Sequence, residues 1–296
     1  MKNVIRPRRS VLYMPGSNRR AMEKAREIPA DGLILDLEDA VTPDAKASAR
    51  QEVVEAVGRS GYGLREVVIR INGLGTHWHA DDLTAVAASN AHAILLPKVE
   101  GAGQVRTVAA ALPEGMDLWC MIETPLAILH AEEIAASSSK TKCLVMGTSD
   151  LAADLNALHT SPREPFAASL SLCLLAARAY GLAALDGVFL DLKDDAGFEA
   201  ACLQGRQFGF DGKTLVHPRQ VAAANQIFAP SHAEIVKAKT IITAFEQARS
   251  EGKGVVVVND QLVENLHVAA ARRLLALSDA IGPPAVSYTH LRAPET

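Results

Sequence analysis

Short apolar runs that each end at a charged or hydrogen-bonding residue recur along most of this chain. Runs of roughly four to six apolar residues suit parallel strands buried on both faces. Segments with helical periodicity lie between them, for example residues 19–26, 44–57 and 165–180. The alternation predicts an α/β fold, a (β/α)8 TIM barrel, with its polar residues at the carboxyl ends of the strands, where such barrels carry their active sites. The runs comprise residues 10–14, 32–35, 67–69, 93–96, 118–122, 144–147 and 214–216.

Chain length and pattern also predict the domain organisation. A chain of 296 residues with 49% hydrophobic content can hold one barrel of ~250 residues and a terminal appendage. We predict a catalytic barrel over residues 1–230, a C-terminal helical arm or lid over 231–281, and a disordered or non-native tail over 282–296. A capping signal at Ser231 and a helical pattern over 265–280 mark the arm.

Composition and charge narrow the class of protein. The net charge of −4 and the isoelectric point near 6.1 provide no basic field for nucleic acid. The four cysteines form no C-x-x-C pair and lie in apolar contexts, which predicts reduced thiols. No apolar stretch reaches the ~18 residues of a membrane span, and no signal-peptide core follows the basic residues 1–9. We therefore expect a cytoplasmic protein that acts on small molecules.

Glu123 and Asp150 follow the fifth and sixth apolar runs. Neighbouring strands lie about 5 Å apart, so the two carboxylates should converge above the barrel. Mg²⁺ accepts one or two protein carboxylates and fills its shell with water and substrate oxygens, whereas Zn²⁺ favours His or Cys ligands. The alternative is that both residues cap helices, Glu123 before Thr124 and Asp150 before Leu151. Spacing alone leaves both hypotheses open.

Arg70 interrupts an otherwise apolar strand. A buried guanidinium requires an anionic partner. Arg70 is therefore either a binding residue for a substrate carboxylate or phosphate, or one half of a structural ion pair with Asp36, Glu38 or Asp39. In that acidic segment Asp36 and Glu38 share one face of the strand pattern, and we expect the segment to orient Arg70 or water bound to a metal.

Two further sets of residues could carry chemistry. The segment 13–20 predicts a strand, a turn and a helix start that offer backbone N–H groups and arginines to a phosphate. It lacks both the G-x-G-x-x-G spacing and the Walker lysine, so it supports neither a dinucleotide fold nor a P-loop. Lys98 could form a Schiff base, although a lysine on the rim of the barrel is the commoner outcome. For His217, and for His77 and His79, structural or loop roles are favoured.

Eight short motifs occur in an order that resembles one enzyme family. Together they resemble the citrate lyase beta-subunit-like proteins, the CoA-ester lyase branch of the HpcH/HpaI aldolase superfamily, relatives of malyl-CoA and citramalyl-CoA lyases. The resemblance spans about residues 9–280. The motifs are RSVLYMPGS (9–17), LDLEDAV (35–41), RIN (70–72), LPKVE (96–100), IETP (122–125), GTSDL (147–151), GFDGK (209–213) and HP (217–218).

The resemblance implies a Mg²⁺-dependent barrel enzyme. Such enzymes break or form the C–C bond of a 3-hydroxyacyl-CoA such as malyl-CoA or citramalyl-CoA, with acetyl-CoA and a 2-keto acid as the other reactants. By this resemblance Glu123 and Asp150 match the metal ligands, and Arg70 matches the arginine that holds the keto-acid carboxylate. The pattern of the acidic segment, independently of the resemblance, leads us to expect supporting positions for Asp36, Glu38 and Asp39 around them.

The resemblance also implies contacts to CoA and to a second subunit. Pro15 and Gly16, with Arg19 and Lys24, would lie toward the CoA phosphates. Glu264 matches a carboxylate of the C-terminal arm that is supplied across a subunit contact and handles the proton on the α-carbon of the thioester. We therefore predict Arg70, Glu123 and Glu264 as catalytic residues and a homo-oligomer, a trimer or a hexamer. Several relatives have aspartate at the position of Glu264, and a helix cap is the alternative role.

Two other functions use the same side chains. One is a metal-dependent pyruvate aldolase that needs no thioester, since its site would require the same Arg, Glu and Asp. The other is a subunit of a citrate lyase-type complex that acts on an acyl-carrier domain. The arm over residues 252–280 favours the CoA thioester. The sequence does not identify the keto acid or the acyl-CoA, and it does not decide between lyase, synthase and thioesterase outcomes.

Overall fold

Two compact units make up the part of the chain that the structure, a computed structural model, describes, namely residues 5–160 and 162–282. Residues 8–228 form one unit, and residues 229–282 together with 5–7 belong to the other. The tail predicted over 282–296 lies, from residue 283 onward, outside the described residues.

Eight parallel strands close into a barrel, as the alternating pattern predicts. The last strand returns to the first, with Ser10 opposite Lys213 and Leu12 opposite Leu215. One strand, at residues 183–186, was not among the predicted runs. The strands are β1 (Ser10–Pro15), β2 (Gly32–Asp36), β3 (Glu66–Arg70), β4 (Ala93–Leu96), β5 (Asp117–Ile122), β6 (Thr141–Met146), β7 (Ala183–Asp186) and β8 (Gly212–Leu215).

Helices connect the strands and cover the outside of the barrel. Short 3₁₀ turns at Pro43–Ala45, Glu164–Phe166 and Pro218–Gln220 precede three of them. The apolar residues between helices and strands form the larger part of the core. The helices are α1 (Arg19–Lys24), α2 (Lys46–Gly58), α3 (His79–Ala87), α4 (Ala102–Ala111), α5 (Pro125–Leu129), α6 (Ala131–Ala136), α7 (Thr148–Leu155), α8 (Ala167–Ala179), α9 (Asp195–Phe208) and α10 (Val221–Phe228).

The interior of the barrel is filled by side chains. Its apolar residues are Val11, Ile34, Val68, Ala93, Leu95, Trp119, Met121, Cys143, Val145 and Leu185. At the amino-terminal end of the strands, Arg8 forms an ion pair of 2.6 Å with Glu66 and lies 5.1 Å from the ring centroid of Trp119. A packed interior with a plugged lower end leaves the carboxyl ends of the strands as the place for a site.

A buried charge cluster joins the last two strands to the helices outside them. Asp186 accepts from Lys213 Nζ at 2.8 Å and from Arg163 Nη1 at 2.8 Å. Burial alone would raise the pKa of Asp186, but attraction to Lys213 and Arg163 lowers it. The carboxylate therefore stays ionised and pairs with both of the cations that would otherwise be unpaired in the core.

The second unit is a helical hairpin with a small β-ribbon. Its elements are α11 (His232–Ser250), β9 (Val256–Val258), β10 (Gln261–Val263) and α12 (Asn265–Ile281). Ser231 begins α11 as predicted, since its hydroxyl accepts from Glu234 N at 3.2 Å while Ser231 N donates to Glu234 Oε2 at 2.7 Å. Asn259 and Asp260 have φ values of 49° and 58°, which suits a two-residue hairpin turn.

Two general expectations can be compared with the described residues. In the ranges 5–160 and 162–282, no helix combines the length and the apolar character needed to cross a bilayer. All four cysteines are buried free thiols, as the sequence predicts.

Candidate active site

Arg70, the last residue of β3, lies at the barrel mouth in a fork with Asp36. The two residues are register partners at the ends of β3 and β2. Arg70 Nε donates to Asp36 Oδ1 at 2.7 Å, and Nη2 donates to Oδ2 at 2.6 Å. The side chains are 7% and 2% exposed, so this bidentate pair is buried and well directed.

The remaining nitrogen of Arg70 faces two more carboxylates. Nη1 lies 2.8 Å from Glu38 Oε2 and 3.3 Å from Asp39 Oδ2. The guanidinium also lies 5.0 Å from the ring centroid of Tyr13, and Nη1 lies 4.0 Å from Met121 Sδ. The acidic segment therefore surrounds Arg70, and the ion pairs considered as the alternative to substrate binding are present.

Glu123 directly follows β5 and has one carboxylate oxygen fixed and one free. Oε1 accepts from Lys98 N at 2.7 Å. Oε2 is buried and has no hydrogen-bond partner among the described residues. Burial raises the pKa of Glu123 to about 7; Lys98 and Arg70 oppose this shift, and Asp150 adds to it. A buried carboxylate oxygen without a partner is a strong candidate for ligating a cation.

Asp150 lies in the first turn of α7 and forms an ion pair with Lys98 Nζ. Lys98 thus contacts both predicted metal ligands, Glu123 through its main chain and Asp150 through its ammonium group. Its φ of 51° lies in the left-handed region, a conformation that non-glycine residues adopt rarely and that is concentrated at functional sites.

Neither carboxylate serves as a helix cap. Thr124 caps α5, with its hydroxyl accepting from Ala127 N at 3.1 Å. Gly147 occupies the N-cap position of α7. The capping roles considered for Glu123 and Asp150 are therefore wrong, and another explanation is needed for both charges.

The donor set at the mouth suits a hard divalent cation. Glu123 contributes a buried oxygen without a partner, and the Asp150 side chain is 33% exposed. Within the described ranges, no group of three or more His, Cys, Asp or Glu side chains is arranged to hold a metal. A pair of carboxylates with open positions fits Mg²⁺ and does not fit structural Zn²⁺.

The residues predicted to face CoA lie along β1 and α1. Pro15 pairs with Asp36 in the sheet. Gly16 packs so closely on β2 that a Cβ would lie 2.6 Å from the carbonyl oxygen of Asp36. Arg19 donates to Glu23 at 3.3 Å on the exposed face of α1, and Lys24 is the last residue of that helix. The turn thus adjoins the Asp36 and Arg70 pair.

Glu264 lies in the second unit, at the N-cap position of α12. Its main-chain N donates to His267 Nδ1 at 3.0 Å. This is the position that Glu264 would occupy if it served only as a helix cap. Its catalytic role stays a prediction.

The histidines have structural contacts. His79 Nδ1 lies 2.8 Å from the carbonyl oxygen of Asn72, and His217 Nδ1 accepts from Arg219 N at 3.2 Å. The ring centroids of His77 and Trp78 lie 3.9 Å apart, with the two ring planes tilted by 42°. For Lys98, burial would lower the pKa, but Asp150 and Glu123 raise it overall, which favours an ammonium over the neutral amine that a Schiff base requires.

Sequence reasoning missed several residues of the site. Lys98 received only a rim role, although it joins the two carboxylates. Gly147 went unnoticed, yet a Cβ there would lie 2.4 Å from Glu123 Cβ. Lys46 Nζ binds the carbonyl oxygens of Leu37 and Glu38 at 2.9 and 2.8 Å. The one available signal was that Lys98 lies two residues beyond one predicted strand and that Gly147 ends another.

The match to a protein-family model decides which family the chain belongs to. Residues 9–218 match the HpcH/HpaI aldolase/citrate lyase model. The chain belongs to this family. It is a family of carbon–carbon lyases and of enzymes that act on CoA esters, and the predicted relationship is confirmed.

Individual members of the HpcH/HpaI family resemble the chain over nearly its whole length. A (3S)-malyl-CoA thioesterase from Cereibacter sphaeroides is 48% identical over 95% of this chain and 98% of its own. An L-malyl-CoA/beta-methylmalyl-CoA lyase from Cereibacter sphaeroides is 32% identical over 93% and 96%. The crystal structure of CitE from Mycobacterium tuberculosis in complex with magnesium, acetoacetate and coenzyme A has a TM-score of 0.74 and 31% identity, over 92% of this chain and 98% of that one.

Proposed function

We propose that this protein is a Mg²⁺-dependent lyase that cleaves or forms a 3-hydroxyacyl-CoA such as malyl-CoA or citramalyl-CoA. The products of cleavage are acetyl-CoA and a 2-keto acid. The observation that carries the proposal is the presence, at one barrel mouth, of a forked Arg70 and a buried Glu123 oxygen without a hydrogen-bond partner. The magnesium, acetoacetate and coenzyme A in the related CitE structure support it.

Each residue at the mouth has a role in this reaction. Glu123 and Asp150 would hold the metal, and the main-chain N–H of Lys98 orients the Glu123 carboxylate. Arg70 binds the carboxylate of the keto-acid half. A bound magnesium ion would supply Lewis-acid stabilisation of the charge that develops on the substrate hydroxyl oxygen during cleavage. The metal and Arg70 would thus both bind the keto-acid half of the substrate.

Glu264 acts on the other half of the substrate. We propose that this carboxyl group, supplied by the arm of a neighbouring subunit, gives a proton to the α-carbon of the thioester during cleavage and removes it during synthesis. Its support is the match to the acidic arm position of the family. General acid–base catalysis of this kind contributes roughly 10²–10⁴-fold.

Hydrolysis of the thioester is the second candidate. The 48% identity to a (3S)-malyl-CoA thioesterase favours it. The same residues would hold the malyl half in both reactions, because the carboxylate and the hydroxyl group are unchanged. The two reactions differ in the bond that breaks, C–C in the lyase and C–S in the thioesterase.

Product analysis separates the two reactions. The intact protein is incubated with (3S)-malyl-CoA and Mg²⁺, and early products are identified by mass spectrometry. A lyase yields acetyl-CoA and glyoxylate, whereas a thioesterase yields malate and free CoA. Glu123→Gln should abolish either reaction. Turnover of a 4-hydroxy-2-keto acid, with no conversion of any acyl-CoA in a panel, would instead indicate a pyruvate aldolase.

A third outcome concerns the acyl carrier. If the protein co-purifies with an acyl-carrier domain and converts only substrates attached to it, the citrate lyase-type subunit would be correct and the CoA lyase proposal wrong. Turnover of free CoA thioesters by the isolated protein excludes this role as an obligate one.

A further inference from the structure

Each of the three nitrogens of Arg70 faces a carboxylate of the protein itself. Nε and Nη2 are taken by Asp36, and Nη1 faces Glu38 and Asp39. The fork with Asp36 is buried and short, so it is the part least able to exchange. A substrate carboxylate that binds at the end of the guanidinium therefore meets Nη1, where it competes with a carboxyl group of the protein.

The main chain of the acidic segment cannot withdraw easily. Leu37 N donates to Arg70 O at 2.9 Å, and Glu38 N donates to Asp36 Oδ1 at 2.9 Å. Lys46 Nζ holds the carbonyl oxygens of Leu37 and Glu38. Exchange at Nη1 is therefore a movement of side chains, not of the loop.

Glu38 and Asp39 differ in how they meet Nη1. The Glu38 side chain is 13% exposed and the Asp39 side chain is 64% exposed. Although Glu38 Oε2 lies 2.8 Å from Nη1, it has no hydrogen-bond partner in residues 5–160 and 162–282, so the pair is close but poorly directed. Asp39 accepts a hydrogen bond of 3.3 Å from Nη1 but is screened by solvent, whereas Glu38 is a desolvated and imperfectly bonded carboxyl group.

The surroundings of Glu38 favour its neutral form. Burial raises the pKa of Glu38 to about 8; Arg70 opposes this shift, and Asp39, Glu123 and Asp36 add to it. Loss of contact with Nη1 and arrival of a substrate anion both act in the same direction. The titratable and charged groups that act on Glu38 are Tyr13 on β1, Asp36 on β2, Asp39 in the same turn, Arg70 on β3, Lys98 after β4, Glu123 after β5 and Lys46 on α2.

We propose that Glu38, when it is ionised, is a positioning residue that pairs with Nη1 of Arg70 until the substrate carboxylate replaces it, and that Glu38 then takes up one proton from solvent. No covalent bond changes in this step. The proton enters from water as the substrate anion enters the site, so the total charge around Arg70 is preserved. The inference rests on the proposed role of Arg70 in binding the keto-acid carboxylate.

Calorimetry of pyruvate binding tests the exchange. The intact protein is titrated with pyruvate in the presence of Mg²⁺, in two buffers of different ionisation enthalpy, near pH 6.5 and near pH 9. Wild type should take up close to one additional proton per site at about pH 9, relative to Glu38→Gln, and almost none at about pH 6.5. Comparison with Glu38→Gln removes protons exchanged by Glu123, which both proteins share.

Affinity gives a second readout. Glu38→Gln removes the competing anion, so it should bind pyruvate about tenfold more tightly than wild type near pH 9 and equally well near pH 6.5. Asp39→Asn is the matched control, since it removes the screened carboxylate at the same nitrogen. It should change affinity less than about twofold and should leave proton uptake as in wild type.

The outcomes separate the two proposals. If wild type binds pyruvate and Arg70→Lys does not, the role of Arg70 stands. Equal proton uptake by wild type and Glu38→Gln, or weaker binding by Glu38→Gln near pH 9, then overturns the exchange alone. If Arg70→Lys binds pyruvate as wild type does, the role of Arg70 fails and the exchange fails with it. Thermal melting of each variant confirms that it is folded.

Discussion

Glu123 lies against a residue that has no side chain. A Cβ at Gly147 would lie 2.4 Å from Glu123 Cβ, 2.7 Å from its Oε2 and 3.0 Å from Met121 Cε. Such contacts are too short for any real side chain, so glycine at this position lets the carboxylate occupy its place beside β6.

Gly147→Ala should therefore weaken metal binding. The added methyl group must displace the Glu123 carboxylate, and displacement of a ligand typically lowers metal affinity about ten- to hundredfold. Binding of Mn²⁺, followed by electron paramagnetic resonance, measures the effect without relying on turnover. Gly103→Ala on α4 is the control, because a Cβ there meets nothing within 4 Å. Equal Mn²⁺ affinity in the two variants would contradict the prediction.

For single residues, the sequence predicts which side chains lie at the barrel mouth better than it predicts the contacts that they make there. Arg70 and Glu123 were found because each follows an apolar run, and strand ends share one edge of a barrel. The link from Lys98 to both carboxylates was not predictable in the same way. It depends on a left-handed main-chain conformation at a lysine, for which no local pattern gives a signal.

The elements β7 and β8 depend on the buried cluster of Asp186, Lys213 and Arg163. These side chains are 0%, 1% and 11% exposed. Asp186 is the one anion between two buried cations, so its removal leaves both of them uncompensated.

Asp186→Asn should lower the free energy of unfolding by about 3 kcal/mol, because it leaves two buried cations without a counter-charge. Urea denaturation measures the loss. Asp195→Asn, which breaks the exposed pair with Arg219, should change stability by less than about 1 kcal/mol. The pKa of Asp186 in the folded protein is below 3.8, so its contribution is complete above about pH 5 and is lost as pH falls further. A similar loss in both variants would exclude the cluster as the cause.

The strand that sequence analysis missed belongs to this cluster. β7 has the sequence Ala-Ala-Leu-Asp, and alanine has a low preference for strands. Its place is determined by pairing with β6 and β8 and by the contacts of Asp186, which are distant in sequence. The other strands carry enough large or β-branched residues to be visible in isolation.

The arm provides a further test at the level of elements. Glu264→Gln should slow both turnover and hydrogen–deuterium exchange into the acetyl group of acetyl-CoA by roughly 10²–10⁴-fold, while Mn²⁺ and pyruvate binding remain unchanged. Glu251→Gln, which breaks an exposed pair with Lys253, is the control on the same arm. If Glu264→Gln retains both rates, Glu264 has no catalytic role and serves only as the N-cap residue of α12.

At the scale of the whole molecule, the second unit exposes an apolar surface. Val257 and Leu262 face each other across the β9 and β10 ribbon and are 65% and 54% exposed, and Leu266 on α12 is 63% exposed. Neighbouring apolar residues at this exposure commonly mark a surface that another protein covers.

We expect a homo-oligomer, a trimer or a hexamer, held in part by this ribbon. Light scattering after gel filtration should give a mass of three or six chains, and Val257→Glu with Leu262→Glu should shift it toward smaller species. Circular dichroism should show that the barrel remains folded in the double variant. A stable monomer of the wild-type protein at micromolar concentration would contradict the prediction.

Arg8 pairs with Glu66 and lies against Trp119 at the amino-terminal end of the barrel, so we expect ligands to enter and leave at the carboxyl end of the strands alone. With the lower end plugged, both halves of a cleaved substrate must leave by the route through which it entered. If Arg70 binds the keto acid inside the mouth and CoA lies along the β1 to α1 turn, as proposed, the larger product should depart first. Steady-state kinetics should accordingly show an ordered release in which the keto acid is the last product to leave and, in the direction of synthesis, the first substrate to bind.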